Sequence, residues 1–253
     1  MQPAATAPER VFIVGAQRCG TTYLYHLLDG HPDITMARPV RPEPKIFLTD
    51  EVTGGPRSYD ARLFAGRPAA RVRGEKATSY LEHPASLDRI AKTFPNAHIV
   101  VSVRDPIERA VSNYRFTVDA GLEDRTVDAA LLADLDGEDR PYDRTRISSS
   151  PYAYVSRGRY VEHLRHVDER FDDEHIHIVV YEDLVADIAV LRSVYAALGV
   201  DAAHAPDVDG HVVNPSVAPA ALSVRTRDRL RTYYADANAA LERRLGRSLS
   251  AWQ

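Results

Sequence analysis

The sequence has very little cysteine and no long apolar run. Its one cysteine, Cys19, excludes an intrachain disulfide and a cysteine-rich metal site. No segment approaches the roughly 20 consecutive apolar residues that a membrane-spanning helix requires. The first ten residues also lack the apolar core of a signal peptide. These absences predict a cytoplasmic protein without a membrane span.

Basic residues are not in excess either. The chain has 32 Lys and Arg against 36 Asp and Glu, for a formal net charge of −4. Without a basic stripe or a run of Lys and Arg interleaved with aromatic residues, nucleic acid is not expected as a partner, and any positive field must be local. His175 and His177 share one face of a predicted strand, but no third ligand has a plausible spacing, so we expect no metal site.

The length and the apolar patterning predict an α/β protein. The chain has 253 residues, of which 44% are hydrophobic, and no Pro/Gly/Ser-rich linker divides it. We therefore expect a single domain over residues 1–253, with 1–9 flexible. The uninterrupted apolar runs at 11–14 and 98–103 are typical of strands buried on both faces of a parallel sheet, and helical patterns follow each of them. This pattern predicts a three-layer fold with a central parallel sheet flanked by helices.

A glycine-bounded loop follows the first strand. Gly15 and Gly20 bracket the loop, and Thr21 and Thr22 open a segment with helical periodicity. A strand, a loop and a helix N-terminus in this order direct free backbone N–H groups and the positive end of the helix dipole at one point, where a phosphate or sulfate binds. The arrangement is that of P-loop NTPase-like folds. A turn that only joins a strand to a helix is the alternative interpretation.

The loop lacks the lysine that a Walker A motif carries directly after its second glycine. Thr21 occupies that position, and the basic residue, Arg18, lies inside the loop. A guanidinium there could reach an anion with five donors and a permanent charge. This disfavours a nucleotide kinase or another P-loop NTPase. That class and a non-catalytic nucleotide-binding protein are the alternative interpretations.

The loop resembles the 5′-phosphosulfate loop of sulfotransferases that use 3′-phosphoadenosine 5′-phosphosulfate (PAPS), commonly Gln-Lys-x-Gly-Thr-Thr. Arg18 stands at the position of that lysine. The resemblance implies that PAPS is the co-substrate and that 3′,5′-diphosphoadenosine (PAP) is the product. It also implies a set of donor-binding residues in the loop: Gln17, Arg18, Cys19, Gly20, Thr21 and Thr22.

A second block, from Arg104 to Tyr114, resembles the 3′-phosphate site of the same enzymes, Arg-x-Pro-x-x-Arg-x-x-Ser-x-Tyr. It implies that Arg104 and Ser112 hold the 3′-phosphate. Arg104 follows a predicted strand, at the carboxyl edge of the sheet, where open α/β sheets bind ligands. We interpret Arg109 and Asn113 as residues of the helix surface.

Two further stretches supply candidate catalytic residues. Glycan-modifying sulfotransferases carry a Lys-Glu-x-His-Phe-Phe-like stretch whose Glu is the proposed general base. Glu43 matches that Glu, and Lys45 stands where the His commonly is. Gly74-Glu75-Lys76 resembles another family block, and the resemblance implies that Lys76 stabilises charge on the transferred group. The candidate catalytic residues are therefore Glu43, Arg18 and Lys76, although Glu and Lys are by default solvated surface charges.

The resemblance extends over about residues 10–200 and implies in-line transfer of a sulfuryl group from PAPS to a hydroxyl or amine, without a metal. The loop lacks the Trp often found after Gly-Thr-Thr in aryl and steroid sulfotransferases. A carbohydrate, a glycolipid or a glycosylated small molecule is therefore the expected acceptor. We expect an irregular lid or substrate-facing insertion over 119–150, a loop over 212–223 that closes on the nucleotide, and a phosphate contact from Arg225.

Overall fold

Five parallel strands form the centre of the protein. The computed structural model describes residues 8–50, 54–145, 147–206 and 220–252. The strands are β1 (Glu9–Gly15), β2 (Ile34–Met36), β3 (Val72–Lys76), β4 (His98–Val103) and β5 (Ile176–Val180). They lie in the order β2-β3-β1-β4-β5, and every described pairing is parallel.

Helices cover both faces of this sheet. They are α1 (Thr21–Asp29), α2 (Gly55–Leu63), α3 (Pro84–Thr93), α4 (Pro106–Asp119), α5 (Val127–Leu135), α6 (Tyr160–Asp168), α7 (Tyr181–Ala186), α8 (Arg192–Ala197) and α9 (Val224–Leu245). Residues of α1 and α8 pack against one face, and residues of α2, α3 and α6 pack against the other. The prediction of a three-layer α/β fold is confirmed. None of the described helices is long and apolar enough to span a membrane.

The continuous apolar run of β1 follows from its position in the middle of the sheet. Successive side chains of a strand point to opposite faces. Phe12 and Val14 accordingly belong to one buried cluster, and Val11 and Ile13 belong to the other. Because both faces are covered, no position from Val11 to Val14 favours a polar residue.

The predicted binding site lies where the strand order reverses, on either side of β1. β1 pairs with β3 on one side and with β4 on the other. The carboxyl ends of β1 and β4 therefore flank a topological switch point, where open α/β sheets bind ligands. Gly15 ends β1 there, and Arg104 directly follows β4.

The interpretation of Arg109 and Asn113 as surface residues is wrong. The two side chains are 0% and 2% exposed, because the segment from Pro151 to Tyr154 covers the side of α4 on which they lie. The Arg109 guanidinium donates to the carbonyl oxygen of Tyr154, and Asn113 Nδ2 donates to the carbonyl oxygen of Pro151 at 2.8 Å. Buried polar groups are tolerated where they find such partners.

The helical segment that follows β5 is interrupted before Leu198. α7 ends at Ala186, and α8 begins only at Arg192. At Asp187 the backbone is extended, and the side chain accepts a hydrogen bond from the backbone N–H of Ala189 at 2.8 Å. A short acidic side chain that bonds to nearby backbone competes with the helix in this way.

The segment 119–150 is more regular than expected. Its apolar stretch forms α5, whose N-cap Thr126 accepts a hydrogen bond from the N–H of Ala129. Val127, Ala130 and Leu131 are buried in a cluster that α5 shares with α4 and α9. The role of this segment as a lid stays a prediction.

Three histidines meet at the amino edge of the sheet, away from the switch point. His98 Nδ1 lies 3.0 Å from His177 Nε2, and the ring of His175 is centred 4.9 Å from that of His98. Burial, followed by the neighbouring histidines, lowers the pKa of His98 to about 4. Across the described ranges, no group of three or more His, Cys, Asp or Glu side chains has an arrangement that could hold a metal ion.

The depressed pKa of His98 predicts a pH-dependent stability. The His98 imidazole binds a proton more tightly in the unfolded state than in the folded state. The stability that neutral His98 contributes is therefore complete above its usual pKa of about 6.5 and is lost as the pH falls to about 4. Between pH 7 and pH 4.5, the free energy of unfolding measured with urea should fall by about 1–2 kcal/mol more in the wild type than in His98→Asn. Equal losses in the two proteins would contradict the role of His98.

Candidate active site

The loop between β1 and α1 has a geometry that could accept an anion. Gly20 has a φ of 71°, and a Cβ atom there would lie 2.2 Å from the ring of Tyr181, so only glycine fits. Within the described residues, no side chain caps the N-terminus of α1. The first N–H groups of a helix have no partner inside the helix, and they lie at the positive end of its dipole. They remain available to an anion.

The loop is fixed to the neighbouring strand β4. The N–H of Ala16 donates to the carbonyl oxygen of Ser102 at 2.8 Å, and Ser102 Oγ donates to the carbonyl oxygen of Cys19 at 2.5 Å. The Cys19 side chain is fully buried, and its Sγ lies 3.4 Å from the Tyr160 hydroxyl. Its thiol therefore faces the protein interior rather than the cleft.

Arg18 joins the loop to the second motif. Its Nε donates to Ser112 Oγ at 3.1 Å, and its Cζ lies 5.0 Å from the ring centre of Phe116. Burial, and then the nearby Arg41 and Arg104, lower the pKa of Arg18 to about 10. The guanidinium is still protonated near neutral pH. The two motifs that the sequence separates by about ninety residues thus meet side chain to side chain.

Arg104 reaches the same cleft from the end of β4. Asp105 caps α4 by accepting hydrogen bonds from the N–H groups of Ile107 and Glu108 at 2.8 and 3.3 Å, which fixes the start of this helix. The Arg104 Cζ lies 5.1 Å from the ring centre of Tyr181. This cation–π contact holds the guanidinium beside the loop.

Glu43 and Lys76 form a largely buried ion pair. Lys76 Nζ donates to Glu43 Oε1 at 2.5 Å. The N–H of Thr78 donates to Glu43 Oε2 at 3.0 Å, and its hydroxyl lies 3.1 Å from the same oxygen. Lys76 is only 4% exposed, and burial lowers its pKa although Glu43 opposes the change. Both predicted catalytic side chains therefore have fixed positions.

Lys45 is directed toward the segment 147–149. Its backbone has a φ of 53°, and its Nζ donates to Ser148 Oγ at 2.8 Å. Ser148 Oγ also lies 2.9 Å from Ser79 Oγ, and the Ser148 carbonyl oxygen lies 3.1 Å from His83 Nε2. One end of the predicted insertion therefore forms a wall of the cleft beside Lys45.

These elements enclose one cleft of about 650 Å³. The predicted residues that line it are Gln17, Arg18, Gly20, Thr21, Thr22, Glu43, Lys76, Arg104 and Ser112. Lining residues that were not predicted include Arg41, Glu108, Arg115, Phe116, Ser148 and Tyr181. Helical periodicity could have identified Arg115 and Phe116, because residues three and four positions after Ser112 share its helix face.

Arg225 lies elsewhere. It is exposed on α9 and lines a separate groove with Leu135, Asp136 and Tyr233. The part of the predicted closing loop at 212–219 lies outside the described residues.

The cleft is strongly cationic although the chain is acidic overall. Six Lys and Arg side chains line it, against two carboxylates, Glu43 and Glu108. Arg41 and Arg104 are close enough to Arg18 to lower its pKa together with burial, which is the larger cause. Like charges gathered at a helix N-terminus favour a ligand with several negative charges.

Comparison with known proteins identifies the family. Residues 8–204, more than half of the chain, match the sulfotransferase domain family. The chain belongs to the sulfotransferase family. The prediction of that family and of a transferase enzyme is confirmed.

Individual relatives agree with this assignment. A sulfotransferase from Alicyclobacillus acidocaldarius has 27% identity and a TM-score of 0.75, with 98% of this chain and 99% of that chain covered. Human heparan sulfate glucosamine 3-O-sulfotransferase 6 is 30% identical over 74% of this chain and 52% of its own length. A mouse sulfotransferase, SULT7A1, solved as a complex with PAP, shares the fold at 20% identity and a TM-score of 0.50, with 76% of this chain and 60% of that chain covered.

The present sulfotransferase spans about half the length, or less, of the first curated relatives that it matches. The similarity nevertheless includes the strands and helices that position the cleft, because the family match extends from β1 through α8.

The burial of Cys19 predicts an unreactive thiol. Burial raises the pKa of Cys19 to about 11, so the thiolate that attacks a disulfide reagent is nearly absent near pH 8. Ellman's reagent should label the native sulfotransferase on the order of 10² times more slowly than the urea-unfolded chain. Equal rates would show that the loop opens freely and that the thiol is not held in the core.

Proposed function

We propose that this sulfotransferase transfers the sulfuryl group of PAPS to a hydroxyl or amine of a carbohydrate, a glycolipid or a glycosylated small molecule. The observation that carries the proposal is the contact between the loop and the second motif, Arg18 Nε to Ser112 Oγ at 3.1 Å. A donor with a phosphosulfate at one end of its ribose and a phosphate at the other requires two anion sites side by side. Arg18 and the α1 N-terminus supply the first, and Arg104 with Ser112 supplies the second.

The charge of the cleft supports this donor. PAPS carries about four negative charges near neutral pH, since a phosphate monoester contributes nearly two. Four of the six cationic side chains of the cleft do not flank Glu43 in sequence: Arg18, Lys76, Arg104 and Arg115. Arginine can bind phosphate oxygens through two N–H groups at once, which suits Arg18 and Arg104 to the two ends of the donor.

Glu43 acts as the general base in the proposed reaction. It takes the proton of the acceptor hydroxyl while the acceptor oxygen forms a bond to sulfur. The bond between sulfur and the bridging oxygen breaks, and that oxygen leaves on the phosphate of PAP. Lys76 and Arg18 stabilise the negative charge that develops on the bridging and sulfuryl oxygens. The two carboxylate oxygens of Glu43 are oriented by Lys76 and Thr78, so the base is held in one position before the acceptor arrives.

The cations beyond the donor site favour an anionic saccharide as the acceptor. Arg41 and Lys45 lie two residues on either side of Glu43 and line the same cleft. Ser148 and Ser79 add hydroxyl groups beside Lys45. One of the relatives is named as a heparan sulfate glucosamine 3-O-sulfotransferase. A sugar with carboxylate or sulfate substituents would meet positive charge and hydroxyl partners at the base.

The proposal includes no nucleic-acid partner, because the chain has a net charge of −4 and no run of Lys and Arg interleaved with aromatic residues.

The transfer reaction is tested with Glu43→Gln. The wild type is incubated with radiolabelled PAPS and a panel of oligosaccharides, and labelled product is quantified. We expect Glu43→Gln to lower kcat by a factor on the order of 10² or more, because glutamine cannot accept the proton. PAP affinity measured by calorimetry should remain within about threefold of the wild type, since the amide keeps the shape of the side chain.

The control is Glu108→Gln, which removes the other carboxylate of the cleft without removing the proposed base. Unchanged turnover in Glu43→Gln would exclude Glu43 as the base. Hydrolysis of ATP with magnesium, without sulfuryl transfer, would favour a nucleotide kinase or NTPase instead.

The 3′-phosphate site is tested with Arg104→Ala. We expect this change to weaken PAP binding by a factor of about 10 to 100, because it removes a charge-assisted contact. Binding of adenosine 5′-phosphosulfate, which lacks the 3′-phosphate, should change by less than about threefold. Titration calorimetry with both nucleotides measures the difference, and an equal loss for the two would assign Arg104 to another part of the donor.

A further inference from the structure

Glu75 is a buried carboxylate that the proposed reaction does not use. It is 0% exposed on β3, next to Lys76 in sequence. Its partner across the β1–β3 pairing is Phe12. Adjacent strand residues point to opposite faces, so Glu75 and Lys76 point to different faces of the sheet, and Glu75 faces the aromatic cluster that contains Phe12. A carboxylate in such surroundings requires hydrogen-bond donors.

Two tyrosines supply those donors. The Tyr59 hydroxyl donates to Glu75 Oε2 at 2.9 Å, and the Tyr80 hydroxyl donates to Glu75 Oε1 at 2.6 Å. The backbone N–H of Ile46 also favours the charged carboxylate. Each carboxylate oxygen thus has its own phenol, and both phenols are themselves buried.

Tyr80 continues this network toward the cleft. Its hydroxyl oxygen accepts a hydrogen bond from the backbone N–H of Phe47 at 3.0 Å while its proton goes to Glu75. Phe47 lies four residues after Glu43 and two after Lys45. A chain of hydrogen bonds therefore runs from β3, beside Lys76, to the end of the loop that carries Glu43. Tyr59 makes the equivalent bond to Glu75 from α2, which is not part of that loop.

We propose that Glu75 is a positioning residue of the transfer reaction, which orients Tyr80 against the Phe47 backbone and so holds the loop 43–47 with Glu43 over Lys76. This inference rests on the proposed function to the extent that Glu43 is the base. The ionised carboxylate fixes the direction of the Tyr80 proton, and this direction leaves the oxygen lone pair for Phe47.

The protonation of Glu75 changes this arrangement. Burial raises the pKa of Glu75 to about 7, and the tyrosine and Ile46 donors only partly oppose the rise. Glu43 adds a smaller increase. Arg10 is a cation on the aromatic side; its guanidinium lies 5.9 Å from the centre of the Tyr59 ring and is ion-paired with Asp60 at 2.7 Å.

A protonated carboxyl group is itself a donor, and it would meet donors that already point at it. One tyrosine proton must then turn away, which weakens the hold on the loop. Because the carboxylate is the form that holds the loop, turnover should fall as the pH falls through about 7.

The test compares two matched variants, Tyr80→Phe and Tyr59→Phe. Each removes one buried hydroxyl that donates to Glu75, but only Tyr80 also accepts from the loop. We expect Tyr80→Phe to lower kcat about tenfold or more and Tyr59→Phe to lower it less than about threefold. PAP affinity should remain within about threefold in both, since the donor loop is untouched.

Glu75→Gln supplies the pH readout. The wild-type decline in kcat between pH 8 and pH 6 should be absent or clearly shifted in this variant, whose kcat should be about tenfold lower at pH 8. Equal effects of Tyr80→Phe and Tyr59→Phe, or a decline with an unchanged midpoint in Glu75→Gln, would overturn the inference. Both results would mean that Glu75 only stabilises the fold.

A readout without turnover separates this inference from the proposed function. Amide hydrogen exchange at pH 8 over residues 43–48 should be faster in Glu75→Gln and Tyr80→Phe than in the wild type and Tyr59→Phe. If the wild type transfers no sulfuryl group, the proposed function fails, and exchange alone decides the positioning role. Equal exchange in all four proteins would overturn the role even if the enzyme is active.

Discussion

The attachment of the glycine loop to β4 is the constraint on which the cleft depends. Ser102 lies inside a buried strand, and its hydroxyl donates to the carbonyl of Cys19 while its own carbonyl accepts from Ala16. Both ends of the loop are thereby tied to the strand that Arg104 follows. Arg18 consequently projects toward α4 and meets Ser112. The two proposed anion sites therefore come from one junction between neighbouring parallel strands, whose spacing brings them close together.

The cationic cleft illustrates why overall charge says little about a site. The chain carries a net charge of −4, yet six basic side chains line the cleft against two acidic ones. Burial concentrates this field, because Arg18 and Lys76 have little water around them and their pKa values fall as a result. Such a field attracts a multiply charged anion from a distance. Glu43 reduces the electrostatic repulsion among these cations, because it pairs with Lys76.

Much of this arrangement could be predicted from the sequence, since short motifs carry it. The apolar runs at 11–14 and 98–103 fall inside β1 and β4, and the motif residues Arg18, Arg104 and Ser112 line one cleft. The burial of Arg109 could not be predicted, because the residues that cover it lie about forty-five positions away. Helical periodicity identifies a face, but it cannot say how many neighbours the helix has.

The contacts of Lys45 and Glu75 depend on distant segments in the same way. Ser148 lies 103 residues after Lys45, and Tyr59 lies 16 residues before Glu75 on a different element. A lysine or a glutamate in a sequence does not indicate which distant residue it will contact. A Glu in a strand is interpreted as a surface charge until the tyrosines that surround it are known, so the block Gly74-Glu75-Lys76 implies a role for Lys76 and none for Glu75.

The arginine at position 18 has a physical consequence that a lysine would not have. A guanidinium is planar, so it can lie over an aromatic ring and still direct N–H groups outward in its own plane. Arg18 uses this geometry: its Cζ lies 5.0 Å from the Phe116 ring centre, while its Nε donates to Ser112. Phe116 and Ser112 are one helical turn apart on α4, so one helix face supplies both contacts. An ammonium has no such plane, so it could not stack on Phe116, 43% exposed, and direct in-plane N–H groups to Ser112 at the same time. The loop arginine and the α4 phenylalanine therefore act as one unit, and the identity of the loop cation is linked to a residue that the loop motif does not include.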